Sequence, residues 1–366
     1  MKPVLGYICG NDSWGGLEMN QLRNAQWMQL RGHQVFMLCL QGSIMEKNAI
    51  EIGVAVVHIE KHRKYYDFLK GRKLVKIIQN HSISHLIVRA THDMSIAAFA
   101  KRTLKKKLHL SYFTEMQFGV KKTNILHTLR FRNFDLWSCP LNFLADQVRT
   151  MTHFSHDKIV VIPSGLELIH FQHDIDKSGA RTQLNLPLNT VIFGLIGRFD
   201  AHKGQLLLLE AMKQCKRNDF SIVFLGEPTR NEGDDYFQQM KQFIDENELV
   251  NRVYILPFRK DIEVFYKAID WFVMASKAET FGMVTIEALA CGTPTLGSNA
   301  GGTPELLRQG DLGVLFEPLN SSDLALKIDE ILDENHSISK ESLLEEAKRF
   351  DHNLICSAVE KALNLN

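Results

Sequence analysis

The sequence predicts an α/β chain built as two parallel-sheet domains, and three observations carry that expectation. Short apolar runs alternate with helix-period segments along the 366 residues, the pattern of strands joined by crossover helices. The alternation pauses near Pro163 to His170 and begins again at Val191. The length suits two domains, and 45% hydrophobic with 23% charged residues is ordinary for a globular chain.

The elements follow in order. Val4 to Cys9 is an apolar run ending in a Gly-rich turn through Gly15-Gly16. Leu17 to Leu30 has helical spacing, with Leu22, Ala25, Trp27 and Leu30 as candidate buried positions. Gln34 to Leu40, Val54 to His58, His85 to Arg89 and Leu108 to Phe113 read as further strands. The second set opens at Val191–Gly197 and continues with a helix over Gln205–Lys216, a strand over Ser221–Gly226, a helix over Tyr236–Glu248 and a strand over Val253–Leu256. Trp271–Met274 and Thr295–Gly297 complete it. Two Rossmann-like sheets result, and such sheets bind ligands outside the carboxyl ends of their strands.

Composition excludes several classes. The cysteines at 9, 39, 139, 215, 291 and 356 are too widely spaced for a zinc knuckle or a redox pair. They read as buried thiols in a reducing compartment. The first apolar run is too short for a signal peptide, and no run reaches the ~18 apolar residues of a membrane span. A cytoplasmic protein is expected. Charge is divided unevenly: residues 1–170 hold 23 Lys+Arg against 12 Asp+Glu and the rest 20 against 30, so +11 and −10 give the net +1. Basic clusters fall at Lys61-His62-Arg63-Lys64, Lys70 to Lys73, Lys101 to Lys107 and Lys121-Lys122, with Tyr65, Tyr66 and Phe68 among them. Such a face suits anionic headgroups or an acidic acceptor. No nucleic-acid motif accompanies the charge, so no nucleic-acid partner is expected.

The chemistry concentrates in Ala278-Glu279-Thr280-Phe281-Gly282-Met283-Val284-Thr285-Ile286-Glu287, followed by Gly292 and Pro294, which stop a helix. Glu279 falls on a loop and Glu287 about one turn into the helix. Between them the N–H groups of Gly282, Met283 and Val284 open the helix, a ready site for an anion. Two carboxylates around a phosphate site suit a nucleotide sugar. Arg198 and Lys203 follow a strand end and Gly197, and fork and point-charge cations suit a diphosphate. Gly15-Gly16 permits close backbone approach to a ligand. His92 and Asp93 follow the strand ending at Arg89. Glu115, Gln117, Lys121 and Lys122 are acceptor-side candidates. Asp174-Ile175-Asp176 forms a D-x-D triplet without suitable surroundings and reads as surface, so no metal site is expected.

The Glu279–Glu287 stretch resembles the signature of the retaining glycosyltransferases of family 4, which have the GT-B fold. Val161-Ile162-Pro163-Ser164-Gly165-Leu166 resembles that family's interdomain segment, with Ser164 where Asn is frequent. Gly197-Arg198-Phe199-Asp200-Ala201-His202-Lys203-Gly204 resembles its diphosphate-binding segment, and Gly301-Gly302-Thr303-Pro304-Glu305 its next turn. These motifs run in family order over about half the chain. The resemblance implies an acceptor domain over 1–165, joined by a returning helix at about 346–366, and a donor domain over 166–345, with a cleft between them. It implies that Glu279 meets the donor sugar and Glu287 the ribose, with Phe281 among the donor-binding residues. Arg198 and Lys203 would stabilise the departing diphosphate. A histidine near the donor sugar is common in the family, and His92 is the candidate; the stretch Tyr112 to Gly119 has none. The implied reaction moves a sugar with retention from a UDP- or GDP-sugar to a glycan or lipid-linked acceptor, without cofactor or metal. The implied setting is bacterial surface polysaccharide or lipopolysaccharide assembly, peripheral on the inner face of the plasma membrane. Alternatives are a small-molecule glycoside-forming enzyme and a non-catalytic nucleotide- or glycan-binding partner protein of the same fold.

Overall fold

The structure is a computed structural model that describes residues 3–65, 67–172, 174–228, 235–334 and 338–365. The chain divides into two units, Met1–Gly165 with His352–Asn366, and Leu166–Asp351.

The first unit holds seven parallel strands: β1 Val4–Cys9, β2 Gln34–Leu40, β3 Ala55–Ile59, β4 His85–Val88, β5 His109–Phe113, β6 Leu136–Cys139 and β7 Ile159–Val161. Their order is β3-β2-β1-β4-β5-β6-β7. β1 is buried along its length and pairs with β2 from Val4↔Gln34 to Cys9↔Cys39 and with β4 from Leu5↔His85 to Ile8↔Val88. Helices cover both faces, which is why the central strands read as continuous apolar runs. One face packs Leu74, Ile78, Leu86, Leu110 and Trp137; the other packs Leu5, Tyr7, Trp27, Met28 and Val35. Ile355, Cys356, Val359 and Leu363 of the helix His352–Leu363 join the second face.

The second unit holds six parallel strands: β8 Val191–Ile196, β9 Phe220–Leu225, β10 Val253–Leu256, β11 Trp271–Met274, β12 Thr295–Ser298 and β13 Gly313–Phe316, in the order β10-β9-β8-β11-β12-β13. Its core gathers Phe193, Leu208, Phe220, Phe224, Trp271 and Leu324.

Several expectations change in detail. Leu30 is 77% exposed: it closes the helix Gly16–Leu30, beyond Met28, the last residue of that helix the core claims. β6, β7 and β13 carry no sequence expectation. The returning segment expected at about 346–366 holds the helix His352–Leu363, preceded by the helix Lys340–Ala347 and a break around Asp351, and the chain returns to the first unit at His352. All six cysteines are free thiols. Asp176 caps the helix Lys177–Gln183 by accepting from Gly179 N at 2.8 Å, so the D-x-D triplet spends one carboxylate on a helix end. Among the described residues no helix is long and apolar enough to cross a membrane.

Candidate active site

In the second unit the strand order reverses between β8 and β11. At such a switch point the loops leaving two neighbouring strands diverge and open a crevice. The loop after β8 carries Gly197, Arg198 and Lys203; the loop after β11 carries Glu279. Gly204 holds φ +80 at the start of the helix Gln205–Gln214, and a Cβ there would collide with the Ala275 carbonyl. Glycine thus lets the first loop close on the end of β11. Gly197 makes room in the same way for the Lys203 stem, 3.3 Å from where a Cβ would stand.

The outcome is an ion pair: Lys203 Nζ lies 2.6 Å from Glu279 Oε1, and Ser276 Oγ donates to the same oxygen at 3.0 Å. Glu279 is also held by its backbone, since Gly302 N donates to its carbonyl at 2.8 Å. Gly282, at φ +89, then turns the chain into the helix Met283–Cys291, and no side chain caps that N-terminus. The first-turn N–H groups therefore open beside a fixed ammonium. Arg198 extends outward, 66% exposed, its guanidinium 3.8 Å from Asp200. Positive potential at a helix start with two cations is an arrangement for a phosphate group.

Glu287 is buried, and the Tyr266 hydroxyl lies 3.0 Å from its Oε2 and 3.0 Å from the Val284 carbonyl. Burial, then the neighbouring Glu287 charge, pushes the tyrosine hydroxyl well above its usual range, so it stays a donor. The carboxylate is thus oriented from behind. Phe281 is a core residue here: it is buried with its ring edge-on to Phe350 at 5.9 Å. Apolar packing of the turn accounts for that position.

The first unit has its own switch point, between β1 and β4. Gly15 precedes the helix Gly16–Leu30 in an extended conformation, and a Cβ on Gly16 would meet nothing within 4 Å. The chain's own packing does not demand glycine there. Asp93 is fully buried: Gly10 N lies 3.1 Å from both carboxylate oxygens, and His62 Nε2 is 2.9 Å from Oδ1. His62 Nδ1 faces the Arg63 carbonyl at 3.1 Å. Both ring nitrogens face acceptors, which calls for the doubly protonated imidazolium. Burial opposes that charge, but the bonds to Asp93 and Arg63 outweigh it and raise the His62 pKa. Read with its basic neighbours, His62 belongs to a surface cluster; the structure instead buries it at a strand end. Lys61, Arg63 and Lys64 remain exposed, and Tyr66 lies outside the described residues.

His92 is half-buried, its Nε2 3.1 Å from the His62 carbonyl and its ring 4.5 Å from the His62 ring. His62, His92 and Asp93 group their ligand atoms within 4.8 Å, but the His62–Asp93 bond already occupies two of the three. Glu115 pairs with the buried Arg89, and Asn20 Nδ2 lies 3.4 Å from its other oxygen. Burial, countered by Arg89, raises the Glu115 pKa. Gln117 and Lys122 line an open hollow near Tyr112 and Trp137, while Lys121 is exposed. Arg89 and His62 are polar residues of the first unit that sequence reasoning missed; only their position just past β4 and β3 could have signalled them.

Comparison with known proteins fits this geometry. Residues 176–351 match the family model described as glycosyl transferases group 1, and residues 14–169 match that of glycosyltransferase family 4. The chain belongs to the family 4 glycosyltransferases. A D-inositol 3-phosphate glycosyltransferase of Mycobacterium sp. (strain KMS) is 29% identical over 208 residues, 56% of this chain and 46% of that protein. The match thus spans about half the length of such curated relatives. A glycosyltransferase from Rickettsia africae ESF-5 superposes with a TM-score of 0.85 at 20% identity, covering 100% of this chain and 98% of that one. Anabaena HepE, solved with UDP, superposes with a TM-score of 0.84 at 21% identity over 99% of both chains. The fold is GT-B.

Proposed function

We propose that this chain transfers a sugar, with retention, from a UDP- or GDP-sugar to a glycan or lipid-linked acceptor. The observation that carries the reading is the Lys203–Glu279 pair at the β8/β11 switch point, beside the uncapped start of the helix Met283–Cys291. In this reading the diphosphate sits on the helix start with Lys203 and Arg198. Glu279 holds a sugar hydroxyl, and Glu287, oriented by Tyr266, receives the ribose. Gly197 and the N–H groups of Gly282, Met283 and Val284 let the phosphates approach the backbone. Negative charge grows on the leaving diphosphate in the transition state, and the prepositioned Lys203, joined by Arg198, stabilises it. The departing phosphate takes the acceptor proton. In the first unit Gly15, Gly16 and His92 are the donor-binding candidates, and Glu115, Gln117, Lys121 and Lys122 the acceptor candidates. The HepE structure with UDP supports a uridine donor.

The net +11 of residues 1–170 supports an anionic acceptor, as in cytoplasmic assembly of a bacterial surface polysaccharide or lipopolysaccharide. A second acceptor reading is a small phosphorylated polyol, supported by the name of the mycobacterial relative. Product analysis with lipid-linked glycans and with inositol phosphates separates the two.

Thermal-shift titration tests the donor reading. A nucleoside diphosphate present at 100 times its Kd should stabilise the native state by about 2.7 kcal/mol. UDP and GDP should separate in this assay, and neither raising the melting temperature would refute the site. Helix start, Arg198 and Lys203 together balance a diphosphate without a cation, so the shift and the turnover should persist in excess EDTA. Loss in EDTA with rescue by magnesium would overturn metal independence.

The two glutamates should divide the donor between them. Glu287→Ala is expected to weaken free nucleoside diphosphate by about 1.5–3 kcal/mol, the scale of a charged hydrogen bond. Glu279→Ala should impair use of the sugar and leave free-nucleotide affinity nearly unchanged. Calorimetry on both variants checks this, and equal losses contradict the division.

A further inference from the structure

The loops that leave β3 and β4 meet over the end of β1, and three potential metal ligands come together there. They are His62, His92 and Asp93, with one ligand atom from each within 4.8 Å of the other two. A separation of 30 positions between His62 and His92 hides the group from any local motif. The donor set is two imidazoles and one carboxylate. It suits zinc and its neighbours in the transition series, with coordination positions left open, whereas magnesium and calcium favour oxygen alone.

Each ligand is held from behind by the backbone. His62 Nδ1 faces the Arg63 carbonyl at 3.1 Å, and His92 Nε2 faces the His62 carbonyl at 3.1 Å. Those carbonyls take one N–H from each ring, which leaves His62 Nε2 and His92 Nδ1 as the ligand nitrogens. Gly10 N donates to the Asp93 carboxylate. Partners of this kind orient metal ligands and fix their tautomers. Position 10 also has to be glycine, because a Cβ would stand 2.3 Å from Asp93 Oδ1 and 2.3 Å from His62 Nε2, where the two ligand atoms converge. The His62 and Asp93 side chains are fully buried, while Thr91 and His92 are half-buried. The third ligand therefore sits at the mouth, on the turn between β4 and the helix Met94–Leu104. Ligand atoms around a tetrahedral zinc stand about 3.4 Å apart. His62 Nε2 is already 2.9 Å from Asp93 Oδ1, so closing on an ion falls to His92.

We propose that His62, His92 and Asp93 bind a single divalent ion of the zinc class, with solvent in the remaining positions. In the metal-free protein a proton on His62 Nε2 bridges it to Asp93. The ion takes that place and the proton leaves to solvent, so the buried carboxylate has a positive neighbour in both states. Occupancy engages His92, one of the donor-binding candidates, so the ion inhibits transfer and is no cofactor of it. Inhibition rests on the donor reading. Ion binding does not, because Lys203 and Glu279 belong to the second unit.

Cobalt titration of the full chain tests the site. Stripped with EDTA and freed of it, the protein should take up a single equivalent of Co²⁺ with the visible absorption of a low-coordinate site. Zn²⁺ should displace it, and excess Mg²⁺ should not. His92→Gln should weaken Co²⁺ by at least about tenfold, a loss seen even for groups that only support a ligand. His62→Gln should abolish uptake, but it also breaks a buried pair. His92→Gln, which should melt like wild type in EDTA, therefore carries the comparison. Absence of stoichiometric Co²⁺ or Zn²⁺ uptake by the unaltered chain overturns the proposal, as does unchanged affinity in His92→Gln. Zn²⁺ should also slow turnover of the unaltered chain. Uptake without inhibition would uphold the ion site and count against His92 as a donor residue.

Discussion

Replacing Lys203 with alanine is expected to lower turnover by about two to three orders of magnitude, the scale for losing one preorganised charge-stabilising group. The ammonium is fixed at 2.6 Å from Glu279, so its position does not have to be found as the reaction proceeds. The variant loses the cation and also leaves Glu279 without its counter-charge close to a diphosphate, where its own negative charge repels the leaving group. Arg198→Ala should fall on the same scale, by a different route: its guanidinium is 66% exposed and must swing onto the phosphates. Melting should hold in both variants, because each side chain is substantially open to solvent. Lys203→Ala and Glu279→Ala combined should lose less than the sum of the two, because they share one interaction. Initial rates at saturating donor decide the matter, and near-normal rates in both single variants would remove the electrostatic mechanism.

Asp93→Ala should destabilise the protein by about 3–5 kcal/mol, the cost of stranding one member of a buried ion pair. Asp93 and the His62 side chain are both fully buried, and Gly10 N also turns to the carboxylate. The loss should depend on pH in a definite direction. The folded-state pKa of His62 is raised above its unfolded value of about 6.5. The pair's contribution is therefore complete below about pH 6.5 and fades as pH rises through the folded value. Urea unfolding of wild type and variant across mildly acidic to alkaline pH should show a gap that narrows toward high pH. A gap that widens, or two superimposable curves, would contradict the charged pair.

Both sheets were legible in sequence to the extent that their strands were buried on both faces. β1 and β11, buried along their length, read as unbroken apolar runs, and the Gly292–Pro294 stop fixed the end of the helix that follows Glu279. β6, β7 and β13 were not legible: β7 has three residues, Ser138 interrupts β6 and Gly313 opens β13, so none shows a clear apolar run. The site divides similarly. Lys203 and Glu279 each sat in a recognisable motif, but their pairing joins loops from different strands and follows from strand order, which local pattern does not encode. Burial of His62 ran against its neighbours, because three adjoining cations mark a surface while the backbone carries the fourth side chain inward. Tyr266 lies 21 residues before Glu287, and nothing in either segment announces the hydrogen bond.

The helix His352–Leu363, with Leu365 after it, completes one face of a core whose other members lie before Gly165. A ribosome makes the chain in one direction, at ~5–20 residues per second. The first sheet is therefore finished early, yet Trp27, Met28 and Val35 wait for their cover while Leu166–Asp351 is produced, a delay of roughly 10–40 s at that pace. The second unit suffers no such delay, being continuous in sequence. During translation the later-made half can reach its native state before the earlier-made half, and the nascent chain carries a greasy face that chaperones or a neighbouring polysome product could seize in the interval.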